Sequence, residues 1–276
     1  MIKSDGIKFI LISTFYFSLM NICVKKLTNI PSHEIVLFRA LVSFLLSYAS
    51  LKKHNINPWG NHKLYLILRG IFGTLGLLSF FYTIQKIPLA TAVTIQYLAP
   101  IFSTILAIFI LKEHTKIIQW FFFLISFSGV LIIKGFDTRI SFFYLVVGVL
   151  SALFSGLAYN IIRKLKDFDD PLVAVFYFPL VTIPIIAPYT IMNWQQPYGF
   201  DWLYLLMVGI LTQQAQFYMT KAYQSEQIAI VSNFSYLGTV YAIFFGYFLF
   251  GESIGIMSFT GIFLIMVGVL LSTKFK

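Results

Sequence analysis

The sequence predicts an all-α membrane protein of ten transmembrane helices, built as two inverted five-helix repeats. Three observations carry that prediction. Charged residues are scarce, ten long apolar runs alternate with short basic loops, and the two halves of the chain match at a fixed offset.

Of 276 residues, 59% are hydrophobic and 11% are charged. Soluble domains carry about 25% charged residues, so this chain cannot cover a water-facing surface and its natural solvent is lipid. On a soluble protein the net charge of +10 would point to nucleic acid. Here the Lys and Arg residues sit in short loops, with no basic patch interleaved with exposed aromatics, and no nucleic-acid partner is expected. Cys23 is the one cysteine. A single thiol makes neither an internal disulfide nor a structural zinc site, so Cys23 reads as a small packing residue. The basic segment from Met1 to Lys8 leads into an apolar run, as a secretory leader would. No A-x-A-like cleavage site follows, and Lys25 and Lys26 close the run, so it reads as the first span.

A helix needs about 20 mostly apolar residues to cross a hydrocarbon core about 30 Å thick. The runs at 7–24, 35–51, 64–84, 90–111, 117–133, 141–162, 171–191, 202–220, 227–250 and 254–273 supply them. The second and third hold Arg39 and Arg69. Uniform apolarity over such lengths does not fit barrel strands, and open sheet edges do not exist in lipid. Loop charge sets the orientation. On the side of the N-terminus fall 13 Lys and Arg residues, Lys52, Lys53 and Lys63 among them; the other side has 5, namely Lys25, Lys26, Lys86, Lys134 and Arg139. The positive-inside rule then places both termini in the cytoplasm, in keeping with an even number of spans.

Residues 69–131 slide by 139 positions, without a gap, onto 208–270. Gly70 falls on Gly209, Gln85 on Gln224, Tyr97-Leu98 on Tyr236-Leu237, Glu113 on Glu252 and Gly129-Val130-Leu131 on Gly268-Val269-Leu270. With Ile71, Ala90, Phe109 and Ile117 this makes 12 identities in 63 positions. At an offset of 138, Ser13 falls on Ser151 and Lys26-Leu27 on Lys164-Leu165. The repeats are expected at 6–135 and 141–274. Each holds five spans, an odd number, so the second enters the membrane from the opposite side. That is the inverted architecture many secondary transporters use for alternating access.

Several stretches carry a family likeness. Phe38-Arg39 lies in the second span and Leu68-Arg69-Gly70 leads into the third. Residues 87–92 open the fourth, and Tyr97-Leu98-Ala99-Pro100-Ile101-Phe102 and Leu111-Lys112-Glu113 follow. Residues 232–237 and Phe250-Gly251-Glu252 repeat the set in the second half. Over nearly the whole chain this resembles the EamA group of the drug/metabolite transporter superfamily. The resemblance implies ten helices, cytoplasmic termini and a central cavity lined by both repeats. Relatives in that group include aromatic amino-acid exporters and S-adenosylmethionine importers. Thr239 departs from the pattern where the first repeat has Pro100, so a kink is imposed in the fourth span and not in its counterpart.

All ten carboxylates lie at or beyond span ends. Intramembrane carboxylates are the usual proton relays and cation sites, so a proton pump and a multidrug cation exporter are disfavoured. Glu113 and Glu252 end equivalent spans and read as interfacial anchors. His33, His54, His62 and His114 fall in loops at no metal-ligand spacing. No catalytic residue, metal site or cofactor is expected.

The other polar residues within spans are uncharged. Gln213 and Gln216 share a face of the eighth span, which Thr220 continues. Ser232, Ser235, Tyr236 and Thr239 share a face of the ninth, with Asn233 beside it. Adding the first, fourth and sixth spans, the candidate cavity lining is Tyr16, Asn21, Gln96, Tyr159, Gln213, Gln216, Asn233 and Tyr236. The same groups would alternatively hold helices together, at about 0.6–2 kcal/mol per contact. Arg39 and Arg69 read as snorkelling to the interface, toward Glu34 or lipid headgroups; contact with a substrate carboxylate or phosphate is their other use. Gly70, Gly73 and Gly76 let helix backbones approach closely. Pro100, Pro179, Pro184 and Pro188 are expected to bend their spans, the last three making the seventh irregular.

Together with the resemblance, these readings give a secondary transporter as the expected function. It would move a small polar metabolite, an amino acid or related compound, across a bacterial inner membrane by alternating access, outward. Import of a metabolite such as S-adenosylmethionine is the alternative, and a membrane enzyme or non-transporting membrane subunit is the reading of another class. The expected partners are a small-molecule substrate and membrane lipids, and the expected assembly is a monomer or weak homodimer.

Overall fold

A computed structural model gives the fold and describes residues 5–110, 117–136, 140–225, 234–235, 237–253 and 255–274. Regular structure among them is helical throughout: α1 (Asp5–Lys26), α2 (Ser32–Lys53), α3 (Lys63–Lys86), α4 (Leu89–Gln96), α5 (Ala99–Ile110), α6 (Ile117–Phe136), α7 (Phe142–Lys164), α8 (Pro171–Met192), α9 (Asp201–Ser225), α10 (Leu237–Phe250) and α11 (Ile256–Lys274). The helices α4 and α5 share one span.

Local chemistry sets the boundaries. Asp170 caps α8 by accepting from the Leu172 N–H at 2.8 Å, and Pro171 takes the first turn, where a missing N–H leaves nothing unpaired. Ser141 caps α7 through the Phe143 N–H at 3.3 Å. Lysines close α1, α2 and α3, where the helix dipole favours a cation. Pro100 has no N–H to give the Gln96 carbonyl. The span breaks there: α4 stops at Gln96, Tyr97 and Leu98 form a turn, and α5 begins at Ala99. The seventh span differs from expectation. Its helix runs unbroken from Pro171 to Met192 with Pro179, Pro184 and Pro188 inside it. Packing against α2, α3 and α9 supports this helix on several sides, and such neighbours are what make proline tolerable within a membrane helix.

Apolar side chains fill the interior, as in a soluble protein, but they also cover the outside. Phe109, Ile117, Leu124, Phe142 and Phe248 stand on the outside, more than half exposed, while Ser13, Ser151, Asn160, Thr182 and Thr212 are fully buried. Apolar surface on that scale is stable only against lipid. Among the described residues, six spans of 22 to 24 residues are apolar enough to cross a bilayer, the α4–α5 pair counting as one. This is a multi-pass, all-α membrane protein.

The two repeats run in opposite senses. The loop after α1, residues 28–31, gathers with the C-terminal ends of α3 and α8 and with Phe143 at the start of α7. Thus α1 ends where its counterpart α7 begins. On the opposite face Asp169, between α7 and α8, accepts the backbone N–H groups of Asn61 at 2.6 Å and His62 at 3.2 Å, between α2 and α3. Packing obeys the same exchange: α1 lies on α9 as α7 lies on α3, while α2 meets its counterpart α8 and α6 meets α11. Two glycines show it at atomic scale. A Cβ on Gly70 would collide with Val181, and one on Gly209 would collide with Val42. The 139-residue offset that carries Gly70 to Gly209 also carries Val42 to Val181.

Candidate functional site

A cavity of about 130 Å³ lies inside the bundle, lined by α1, α3 and the α4–α5 break from one repeat and by α7, α8 and α9 from the other. The break sits on it because a chain that leaves the helix turns Gln96 and Tyr97 toward the centre. Gln96 is held by α7 at both ends of its amide. Its Nε2 donates to Ser155 Oγ at 2.7 Å, and its Oε1 lies 2.7 Å from Ser151 Oγ. The Ser151 hydroxyl is also 2.7 Å from the Gly76 carbonyl, so its single proton serves one acceptor at a time. Gly76 permits this arrangement, since a Cβ there would lie 3.0 Å from Ser155 Oγ and 3.3 Å from the Ser151 carbonyl.

The other corner is built on Phe178. Arg39 from α2 and Arg69 from α3 approach its ring with guanidinium carbons 4.5 and 4.4 Å from the centroid. Arg69 lines the cavity and donates from Nη2 to Gln216 Oε1 at 3.0 Å. Gly73 leaves room for it: a Cβ there would lie 2.6 Å from Arg69 Nη1 and 2.8 Å from the Phe178 ring. The Nε atoms of both arginines and Nη2 of Arg39 are buried without a hydrogen-bond partner. Burying a guanidinium without a carboxylate costs several kcal/mol. A cation over an aromatic face returns about 2 kcal/mol, and two cations no more than about 9 Å apart repel by roughly 2 kcal/mol or more at an effective dielectric of 20.

The arginines do not snorkel as expected. They are 1% and 2% exposed, because α2 and α3 pack against α8 and present both side chains to Phe178. Nor does Glu34 pair with Arg39; its Oε2 instead accepts from the Gln195 N–H at 3.0 Å. Of the other candidates, Asn21, Gln96, Tyr159 and Gln216 line the cavity. Tyr16 stands outside that lining and stacks on Tyr218 with centroids 6.3 Å apart. Gln213 is buried elsewhere on α9, with Oε1 unpartnered. Asn233, Tyr236 and Ser232 lie outside the described residues, as do Glu113 and His114. Sequence reasoning missed Tyr97 and Phe178. Tyr97 had a signal in its place three residues before Pro100 and its match to Tyr236. Phe178 had none, being one phenylalanine among 31.

The two faces beside the cavity differ. Toward the face where α1 ends lies a vestibule of about 720 Å³, lined among others by His33, Tyr82, Gln85 and Tyr189. A clasp crosses this face. Lys25 Nζ donates to the Ile84 and Ile87 carbonyls at 3.0 and 2.6 Å and pairs with Glu252 at 3.1 Å. Glu252 Oε2 also accepts the Leu89 N–H at 2.8 Å. The clasp joins α1, the α3–α4 junction and the chain just after α10, which gives Glu252 the anchoring place expected of it. Toward the other face a void of about 70 Å³ shares Gln96, Tyr97 and Tyr159 with the main cavity.

The likeness to known proteins runs the length of the chain. The pseudopaline exporter CntI of Pseudomonas aeruginosa is 29% identical over 275 residues, covering 99% of this chain and 97% of that protein. Mouse solute carrier family 35 member G1 is 31% identical over 87% of this chain and 70% of its own. The S-adenosylmethionine uptake transporter of Rickettsia felis is 26% identical over 90% and 85%. A crystal structure superposes with a TM-score of 0.72 over 98% of both chains at 14% identity, which speaks for the fold alone. The profile of the EamA-like transporter family matches twice, at residues 4–135 and 142–274. Both halves of the chain carry one family's repeat, and the protein belongs to the EamA-like transporter family.

Proposed function

We propose that this protein is a secondary transporter that moves a small polar metabolite, an amino acid or related compound, outward across a bacterial inner membrane by alternating access. The cavity between the inverted repeats carries this reading, because both repeats line it. Inversion gives two states of equal kind: what one repeat does at one face, the other can do at the opposite face. The vestibule of about 720 Å³ and the void of about 70 Å³ support a path to either side. Outward movement draws support from the exporter relative, which matches over its full length. Cytoplasmic termini rest on the loop charges, 13 against 5. The working unit is taken to be a monomer or weak homodimer, with lipid and solute as its partners. The Rickettsia relative supports import as a second reading. A sulfonium such as S-adenosylmethionine would meet Arg69 in this cavity, which weighs against that solute.

Liposomes containing the purified protein should be loaded with labelled amino acids, organic acids, nucleosides and cofactors. At least one should leave well faster than from protein-free vesicles. Release of none of them would end the transport reading.

A further inference from the structure

The charges around the cavity do not balance. Arg69 lines it, Arg39 lies against the same Phe178 ring, and the two guanidinium carbons are at most about 9 Å apart. Both side chains are at least nine-tenths buried, and three of their nitrogens have no partner. The ion pairs Lys8–Asp5 and Lys25–Glu252 reach neither Arg39 nor Arg69. Among the described residues no aspartate or glutamate lines the cavity; the polar groups there besides Arg69 are amides and hydroxyls, Asn21, Gln96, Tyr97, Ser155, Tyr159 and Gln216. Guanidinium groups present a planar fork of donors that matches a carboxylate and is not switched off by deprotonation. A solute carboxylate would supply the missing acceptors and the missing charge together. A solute ammonium group would find no counter-charge among the described lining residues.

The geometry points to an anion subsite at Arg69 beside Phe178, with Arg39 against the same ring adding positive charge, and to a solute of net negative charge: an organic acid or an acidic amino acid. This rests on the transport reading and narrows it, placing neutral zwitterions and cations behind acids. Gln216 is a positioning residue here, holding the Arg69 fork through its Nη2 and leaving Nε free.

The test is thermal unfolding of the purified full chain in detergent at constant ionic strength. The probes are succinate against succinamide, glutamate against glutamine, citrate, S-adenosylmethionine, inorganic phosphate and chloride. At least one carboxylate should raise the midpoint at concentrations 10-fold or more below those at which its amide counterpart does. Arg69→Gln should weaken that response 10-fold or more, Arg39→Gln should weaken it less, and Arg69→Lys should weaken it less than Arg69→Gln. Equal shifts from acids and amides, a shift from S-adenosylmethionine alone, or full response in the Arg69→Gln variant would overturn the proposal. So would no shift from any carboxylate, or a shift confined to phosphate or chloride. The acid-against-amide comparison uses unaltered protein, so it stands even if a variant fails to fold. Carboxylate binding without flux in liposomes would sink the transport reading and leave the subsite standing. Flux of a neutral solute without any carboxylate response would do the opposite.

Discussion

Lys25 and Arg69 each carry a positive charge into the packed helices, and the fold surrounds them differently. Lys25 has a carboxylate at 3.1 Å and two backbone carbonyls, all from other elements. Arg69 has one amide oxygen and the face of a ring, and its neighbour Arg39 has the ring. The same chain therefore shows both a compensated and an uncompensated cation. Where structure is at stake, at the clasp between repeats, the partner is built in. Where the cavity lies, the partner is left out, and an external anion is the chemistry that completes the site.

That contrast can be broken at three places. The largest effect is expected at the clasp. Both partners are mostly buried, with side chains 15% and 13% exposed, so Lys25→Met leaves the Glu252 carboxylate unpaired and should cost about 3 kcal/mol of stability. Denaturant unfolding in detergent would measure it, and an unchanged midpoint would place Lys25 with the weak surface pairs. Next comes Arg39→Met, which removes an uncompensated charge and should stabilise the ligand-free protein by about 1–2 kcal/mol. A loss of that size in the same assay would mean Arg39 is already compensated within the fold. The smallest is Gln96→Leu. It strips Ser151 and Ser155 of a partner and should cost about 1 kcal/mol, with the carboxylate response of the protein intact. Loss of that response would make Gln96 part of the ligand site rather than a tie between α4 and α7.

Much of this was legible in the chain itself. Span positions followed from runs without charge, and inversion followed from parity, five spans to a repeat. The break at Pro100 followed from a missing N–H, whereas the cost of leaving an amide or phenol among apolar helices did not separate Asn21, Gln96, Tyr159 and Gln216, which line the cavity, from Tyr16 and Gln213, which do not. The arginines show where periodicity stops informing. Arg39 and Arg69 lie within a turn or two of their span ends, so the sequence allows an escape to the interface. Only the packing of α2 and α3 on α8 turns them inward to Phe178. Burial of α8 likewise overrode its three internal prolines, whose effect a local reading sees and whose neighbours it does not.

The central claim is that one cavity, walled by both repeats, opens in turn to each side of the membrane. Ser155 lines that cavity, and Ser155→Cys in a Cys23→Ser background would place a single thiol there. Reaction of this thiol with a membrane-impermeant reagent, applied in turn to right-side-out and inside-out vesicles, tests the claim most directly. Labelling from both sides, slowed by a bound carboxylate, is the expected result. Labelling from one side only, under every condition tried, would contradict it.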